Sequence, residues 1–242
     1  MTSFPRSAAT AAAALLALGS ASGAEKRYGL TSFEAIEVHA DVDVEVTARA
    51  PLHAVATGPQ DALDRLEVEA RDGRLMISAR KFAGDEARRA PRGAVTIRVN
   101  AANLRSATLV GAGSLRVDTL KGQRVTIGLR GPGRLSVGQI AADRLSVAAI
   151  GNGTMTLGGQ AKQAEVMLSG ASMVDAGTLR VDALVSDSEG AGDHLFHAVK
   201  SAAVTARGVG RTVVLGKPVC GVRNVGGGTV DCGAGRVDPR VP

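Results

Sequence analysis

The chain has 242 residues, of which 45% are hydrophobic and only 2% aromatic, and its formal net charge is +6. Proteins that bind nucleic acid usually combine a basic stripe with aromatic side chains for base stacking. With no Trp, one Tyr and dispersed basic residues, this composition does not favour a nucleic-acid partner.

The first 24 residues have the pattern of a secretory signal peptide. Arg6 precedes a short apolar run over 8–18, and the small residues Ser22 and Ala24 stand at −3 and −1 of a cleavage site. The run is too short to span a membrane, and no later stretch approaches 18 apolar residues. We therefore predict export, to the periplasm, the cell surface or the medium, and no transmembrane segment.

Residues 33–100 alternate apolar and polar side chains, which is typical of strands that are buried on one face. The runs 33–38 and 42–46 alternate, and Asp72-Gly73 joins two further alternating runs as a hairpin turn would. We predict an N-terminal β-layer that caps the coil following it, with a polar loop over 81–93.

Residues 101–233 contain a short glycine signature that recurs at intervals of 18 to 20 residues. Such a fixed period indicates stacked structural repeats. The signatures begin at Gly111, Gly131, Gly151, Gly170, Gly190, Gly208 and Gly226.

Apolar residues occupy alternate positions on both sides of each signature, as in short strands of about five residues that meet at a glycine corner. One repeat cannot bury its own apolar face, so the repeats must stack at the strand spacing of about 4.8 Å. We predict an all-β, parallel β-solenoid with coils of about 20 residues. The period is not a strict hexapeptide pattern, which favours right-handed coils over the alternative, the left-handed hexapeptide type. Residues 25–233 would form a single domain (33–100 capping strands, 101–233 solenoid), and 234–242 a flexible tail.

The two cysteines are Cys220 and Cys232. In an exported protein they are expected to form a disulfide, which would contribute roughly 3 kcal/mol by constraining the unfolded chain. The alternative is a reactive or metal-binding thiol pair, but no histidine lies near them in sequence.

The opening strand Phe33-x-x-Ile36-x-Val38, the hairpin Asp72-Gly73-x-Leu75 and the repeated Gly-x-Gly units together resemble the bacterial head GIN domain family, described as auto-transporter adhesin heads. The resemblance covers about 33–233. It implies an exported all-β repeat fold and supplies no catalytic residues. Gly131-Pro132-Gly133 and Gly170-Ala171-Ser172 depart from the usual unit.

Asp143 and Asp182 share the same position in their repeats, two coils apart. The strand spacing puts them roughly 10 Å from each other, close to the separation in inverting glycosidases. They are the candidate catalytic residues. The alternative is that acidic residues simply favour solvated turns, since Asp175 and Asp231 also share a position.

A second candidate site lies in 186–197, where polar residues interrupt the apolar pattern. Five side chains could take part in binding there: Ser186, Ser188, Asp193, His194 and His197. The segment lacks a Gly-x-Ser-x-Gly elbow, and its histidine spacing is not specific for a metal. The alternative is an interior serine ladder with one hydrogen-bonded histidine. We predict no metal and no cofactor.

The first hypothesis for function is an exported, non-enzymatic module at the bacterial envelope that binds an envelope glycan or protein. The second is a carbohydrate-active hydrolase or lyase that uses Asp143 and Asp182. A third is self-association through the open edge of the terminal coil, because unpaired strand edges promote association.

Overall fold

The computed structural model describes residues 24–49, 51–80 and 94–233. Of the predicted signal peptide only Ala24 belongs to this part, and the predicted loop over 81–93 and the predicted tail over 234–242 lie outside the described residues. Within the described ranges sixteen strands form a single connected sheet, and there is one short helix.

The first half contains short strands and the helix, in the order β1 (Ala24–Tyr28), β2 (Ala35–His39), β3 (Asp43–Thr47), β4 (His53–Gly58), α1 (Gln60–Leu63), β5 (Leu66–Arg71), β6 (Arg74–Ala79), β7 (Thr96–Asn100) and β8 (Ser106–Val110). The second half contains five long strands and three short ones, β9 (Ser114–Arg130), β10 (Arg134–Gly151), β11 (Thr154–Gly170), β12 (Met173–Gly190), β13 (Asp193–Gly208), β14 (Arg211–Gly216), β15 (Val219–Val225) and β16 (Thr229–Cys232).

The second half is the predicted parallel β-solenoid. Each of β9 to β12 pairs in parallel with the next, and both β14 and β15 pair with β13. The strands β9 to β13 run for 16 to 18 residues, from one glycine corner to the next, rather than as separate strands of about five residues. The pairing continues through most of each coil because neighbouring coils bend at the same positions.

The glycine corners have a steric cause, which is clearest at Gly190. Its φ is +129°, and a Cβ at this position would lie 2.0 Å from the carbonyl oxygen of Gly170 in the preceding coil. Only glycine allows both this backbone conformation and this close approach. The repeated signature therefore marks where successive corners stack against one another.

Each coil has three sides, which define three faces of the solenoid. The pre-corner face is formed by 125–130 and its counterparts in later coils, and the post-corner face by 114–117 and its counterparts. The third face joins them and comprises 119–124, 139–144, 159–163, 178–183 and 197–201. Columns of buried Leu, Val and Ile from all three sides fill the interior.

The N-terminal strands close the first end of the solenoid, as predicted, by extending two of its faces. On the pre-corner face, β8, β2 and β6 continue the parallel pairing and β5 ends it as an antiparallel strand. On the post-corner face, β3 and β7 continue it, followed by the antiparallel β4 and β1. Asp72 and Gly73 form the predicted hairpin turn, with φ of +50° and +72°.

The other end of the solenoid finishes at β15 and β16. In the described part of the chain, β15 pairs only with β13, and β16 only with β14. Their outer edges are therefore unpaired there, and association of copies through this edge stays a prediction.

Candidate functional site

A groove of about 590 Å³ lies on the third face and crosses the coils β9 to β13. Its lining combines small residues with longer polar side chains, namely Gly122, Gln123, Ala141, Ala142, Asp143, Gln160, Ala161, Lys162, Arg180, Asp182 and Val199. A concave surface of this volume that carries several polar side chains is the first candidate for a binding site.

Over three of its coils, the groove is lined by one column of the third face that has very small side chains. Gly122, Ala142 and Ala161 stand next to one another in register on β9, β10 and β11. A column of longer residues stands on each side, with Gln160 and Arg180 on one and Asp143 and its neighbours on the other. The small column is the floor and the two polar columns are the walls.

The structure places Asp143 and Asp182 in the same wall of this groove, with Lys162 between them in the column. The ammonium nitrogen of Lys162 lies 2.8 Å from Asp143 Oδ1, and Nζ of Lys200 lies 2.8 Å from Asp182 Oδ2. The hydrogen bond to Asp143, with the negative charge of both carboxylates, raises the pKa of Lys162 above its usual value. The wall is therefore an alternating ladder of acids and lysines.

The repeat positions in the sequence point to the two aspartates but not to Lys162, Gln160 and Arg180. The signal that could have found the groove is the small column, because Gly122 and Ala142 occupy the same position in their repeats. Two short side chains there, beside charged neighbours, predict a furrow between polar columns.

The second predicted site divides into an inward and an outward group. Ser186, Ser188 and His194 point into the solenoid and are at most 7% exposed. Asp193 is exposed, and His197 is half-buried with its Nδ1 3.3 Å from the carbonyl oxygen of Gly177. The five residues therefore do not converge on one ligand, and the described residues include no group of three or more His, Cys, Asp or Glu that could hold a metal ion.

The inward group is larger than predicted, since Ser172 and Thr212 are also buried polar residues of these coils. His194 Nδ1 lies 3.4 Å from Thr212 Oγ1, and both residues border a void of about 10 Å³ together with Ser188. Among the described residues, the Oγ atoms of Ser172 and Ser186 have no hydrogen-bond partner, and His194 Nε2 makes no hydrogen bond of ordinary geometry. This void has the minimum volume for one water molecule, so the cluster is an internal polar region rather than an accessible site.

Burial lowers the pKa of His194 below its ordinary value of 6.5, because removal from water disfavours the charged ring. The charge of Asp193 and the backbone carbonyl of Ser172 act in the opposite direction, but more weakly. The imidazole is therefore held in its neutral form in the interior.

The two cysteines form the predicted disulfide, with their Cα atoms 6.3 Å apart. It connects β15 to β16 in the last coil. This bond excludes the alternative of a reactive or metal-binding thiol pair.

Within the described ranges no helix has the length and apolar character required to cross a membrane. A comparison with curated proteins finds no match.

Solved structures from Bacteroides and Parabacteroides species have the same fold. A "putative adhesin" from Bacteroides fragilis superposes with a TM-score of 0.74 at 22% identity, covering 88% of this chain and 98% of its own. A "putative lipid binding protein" from Parabacteroides distasonis superposes with a TM-score of 0.67 at 17% identity, covering 88% of this chain and 98% of its own. A "putative adhesin" from Parabacteroides merdae also has a TM-score of 0.67 at 17% identity, covering 88% of this chain and 97% of its own. At these identities the likeness establishes the fold alone.

A family model matches residues 32–218, which include most of the capping strands and most of the solenoid. This agrees with the resemblance noted in the opening strand, the hairpin and the glycine corners. The chain belongs to the family described as "Putative auto-transporter adhesin, head GIN domain".

Proposed function

We propose that this protein is an exported, non-enzymatic β-solenoid that acts as an adhesin-like binding module at the bacterial envelope, with the third-face groove as its binding surface. The family and the fold support a binding role. The disulfide supports an oxidising compartment outside the cytoplasm.

The observation that carries the non-enzymatic part is the pairing of both candidate carboxylates with lysines. Asp143 and Asp182 each have an ammonium group at 2.8 Å. A catalytic acid or base must be free to reach the substrate, whereas both of these carboxylates are already bound by lysine side chains. Asp143 and Asp182 are therefore better placed to recognise a polar ligand than to transfer a proton to it.

A carbohydrate-active enzyme is the second candidate, and one observation favours it. Asp143 and Asp182 lie in the same wall of one groove, two coils apart, which corresponds to roughly 10 Å by the strand spacing. This is close to the separation that lets an inverting enzyme place a water molecule between sugar and base.

Filling the groove tests the binding role. Purified protein is mixed with washed bacterial envelopes and sedimented, and the bound fraction is measured. Ala142→Trp places an indole on the groove floor, and we expect it to lose at least half of the binding. The control is Ala148→Trp, an exposed site on the pre-corner face of the same strand β10, and thermal unfolding of both variants checks that the indole at the half-buried Ala142 leaves the fold intact. Equal binding by both variants and the unmodified protein would contradict the proposal.

The enzyme candidate is tested on a panel of neutral and acidic polysaccharides by measuring the release of new chain ends. We expect no turnover by the unmodified protein. Turnover that disappears in the double variant Asp143→Asn, Asp182→Asn would establish the enzyme and overturn the non-enzymatic proposal.

A further inference from the structure

Positive charge on the third face is not balanced by acids, unlike charge on the pre-corner face. The carboxylates among its described residues are Asp143 and Asp182, and both are bound by lysines. Four exposed basic residues have no carboxylate partner in the described part of the chain, namely Lys121, Arg124, Arg144 and Arg180. The pre-corner face instead mixes bases with acids, as where Arg207 lies 2.7 Å from Asp187.

All four bases stand in or beside the groove. Arg180 is part of its lining. Lys121 directly precedes the floor residue Gly122, and Arg124 and Arg144 directly follow residues of the opposite wall. A ligand lying in the groove would therefore have positive charge on both sides.

Arg124 and Arg144 stand directly opposite each other in register on the adjacent parallel strands β9 and β10. Like charges in opposed positions on neighbouring strands destabilise the pairing. An anionic group bound between the two guanidinium groups would remove this repulsion, and the planar donors of arginine fit a carboxylate. The register thus favours a ligand with anionic groups at this rim, and a carboxylate is one group that fits.

The walls also offer uncharged hydrogen-bonding groups. The amides of Gln123 and Gln160 line the groove and can each donate and accept hydrogen bonds. No aromatic side chain is among the lining residues, so the groove lacks the stacking surfaces that bind nucleic-acid bases. Hydroxyl groups with interspersed carboxylates, as in an acidic polysaccharide, match this set of donors and acceptors.

The direction of the groove separates a glycan from a peptide. It crosses the coils, so its columns repeat at about 4.8 Å. In an extended peptide, side chains on the same side are about 6.6 Å apart. This spacing does not match the spacing of the columns. One sugar unit of an extended glycan is close to the coil spacing, so successive units could meet equivalent positions.

We propose that the third-face groove binds an extended acidic glycan, with its carboxylates held by Arg124, Arg144 and Arg180 and its hydroxyls by the amides and charged pairs of the walls. This assignment rests on the proposed function, because it names the ligand class of the same groove.

The test is binding of the purified protein to polygalacturonate oligosaccharides, measured by calorimetry at low and high salt. We expect affinity to fall as salt rises, because the contacts are exposed charges, and to be lost with fully methyl-esterified oligosaccharides. Arg124→Gln with Arg144→Gln should weaken binding about tenfold, which corresponds to two modest exposed charge contacts. The control removes the same charge elsewhere, by Arg130→Gln with Arg134→Gln on the other two faces, and should change affinity less than twofold.

Three outcomes would overturn the inference: equal binding of the esterified form, equal weakening by both arginine pairs, or no binding to the acidic oligosaccharide. None of these would by itself contradict the proposed function. The loss of envelope binding in Ala142→Trp, measured separately, would then show that the groove binds a ligand of another class.

Discussion

The solenoid has two regions with the same backbone geometry, and they differ in the side chains that fill the interior. In β9 to β11 the interior columns hold large apolar residues, as at Leu115, Leu135 and Met155. In β12 to β14 the corresponding columns contain Ser186, Ser188, His194 and Thr212, all buried.

The corners are the same in both regions. The amide of Arg211 donates to the carbonyl oxygen of Gly192 at 3.1 Å, just as the amide of Thr154 donates to that of Gly133 at 3.0 Å. Backbone pairing and corner sterics therefore set the shape of a coil, whereas the interior side chains set how much its burial stabilises it. The polar region is where we expect the solenoid to be least stable.

The largest effect is expected from truncation in the apolar region. Leu135→Ala empties a fully buried position and should lower the free energy of unfolding by about 3 kcal/mol through lost burial and a cavity. Thr212→Ala changes the same column in the polar region and should cost only about 1 kcal/mol, the worth of one hydrogen bond. Urea denaturation of both variants measures the difference.

Equal losses in the two variants would contradict the comparison, because they would mean that the two regions are equally well packed. If Leu135→Ala lowers the free energy of unfolding by less than expected, the neighbouring side chains of the column move to fill the cavity.

A smaller effect of opposite sign is expected at Ser186. Its Oγ is buried without a partner, and its neighbours in register are Val166 and Val204. Ser186→Val continues their column and removes an unsatisfied hydroxyl, so it should raise the free energy of unfolding by about 1 kcal/mol. The matched control, Ser146→Val on the exposed side of β10, should change it by less than about 0.5 kcal/mol.

Thermal and urea unfolding of the two serine variants measure this gain. If Ser186→Val instead destabilises the protein, the hydroxyl is engaged by an internal water molecule, and the polar region is more tightly held than the comparison assumes.

Sequence periodicity predicted the corners and the interior columns, because both depend on residues that recur at constant positions. The disulfide was predicted from the two cysteines of a chain with a predicted export signal. It could not predict that Lys162 lies between Asp143 and Asp182. The coil that contains Lys162 is one residue shorter than its neighbours, and the pairing of β10 with β11 shifts between Val137 and Ile140 to compensate.

The residue that permits this shift is Gly159. Its φ is +117°, and a Cβ there would lie 2.2 Å from the carbonyl oxygen of Ile140. Counting from each corner aligns Asp143 with Asp182 but places Lys162 one position away, so the ladder of charges depends on a local irregularity that the period conceals. The polar cluster was predictable in part, since Ser186, Ser188 and His194 break the pattern, but the contact with Thr212 required the stacking register.

The smallest expected effect is a pH dependence that arises in the polar region. Burial lowers the pKa of His194 in the folded protein below its ordinary value of 6.5, so the unfolded chain takes up the proton first as pH falls. The contribution of the neutral His194 ring to the free energy of unfolding is therefore complete above about pH 6.5. It is lost as pH falls from there through the lower pKa of the folded protein.

His194→Leu restores the residue type found at Leu115 and Leu135 in the same column and removes the titrating group. Its free energy of unfolding should change less between pH 7 and pH 5 than that of the unmodified protein, and the difference between the two profiles isolates His194 from the other histidines. Parallel profiles would mean that protonation of His194 is tolerated in the folded interior, with water reaching Nε2 through the void beside Thr212. In that case the last coils would be open to solvent rather than merely less well filled.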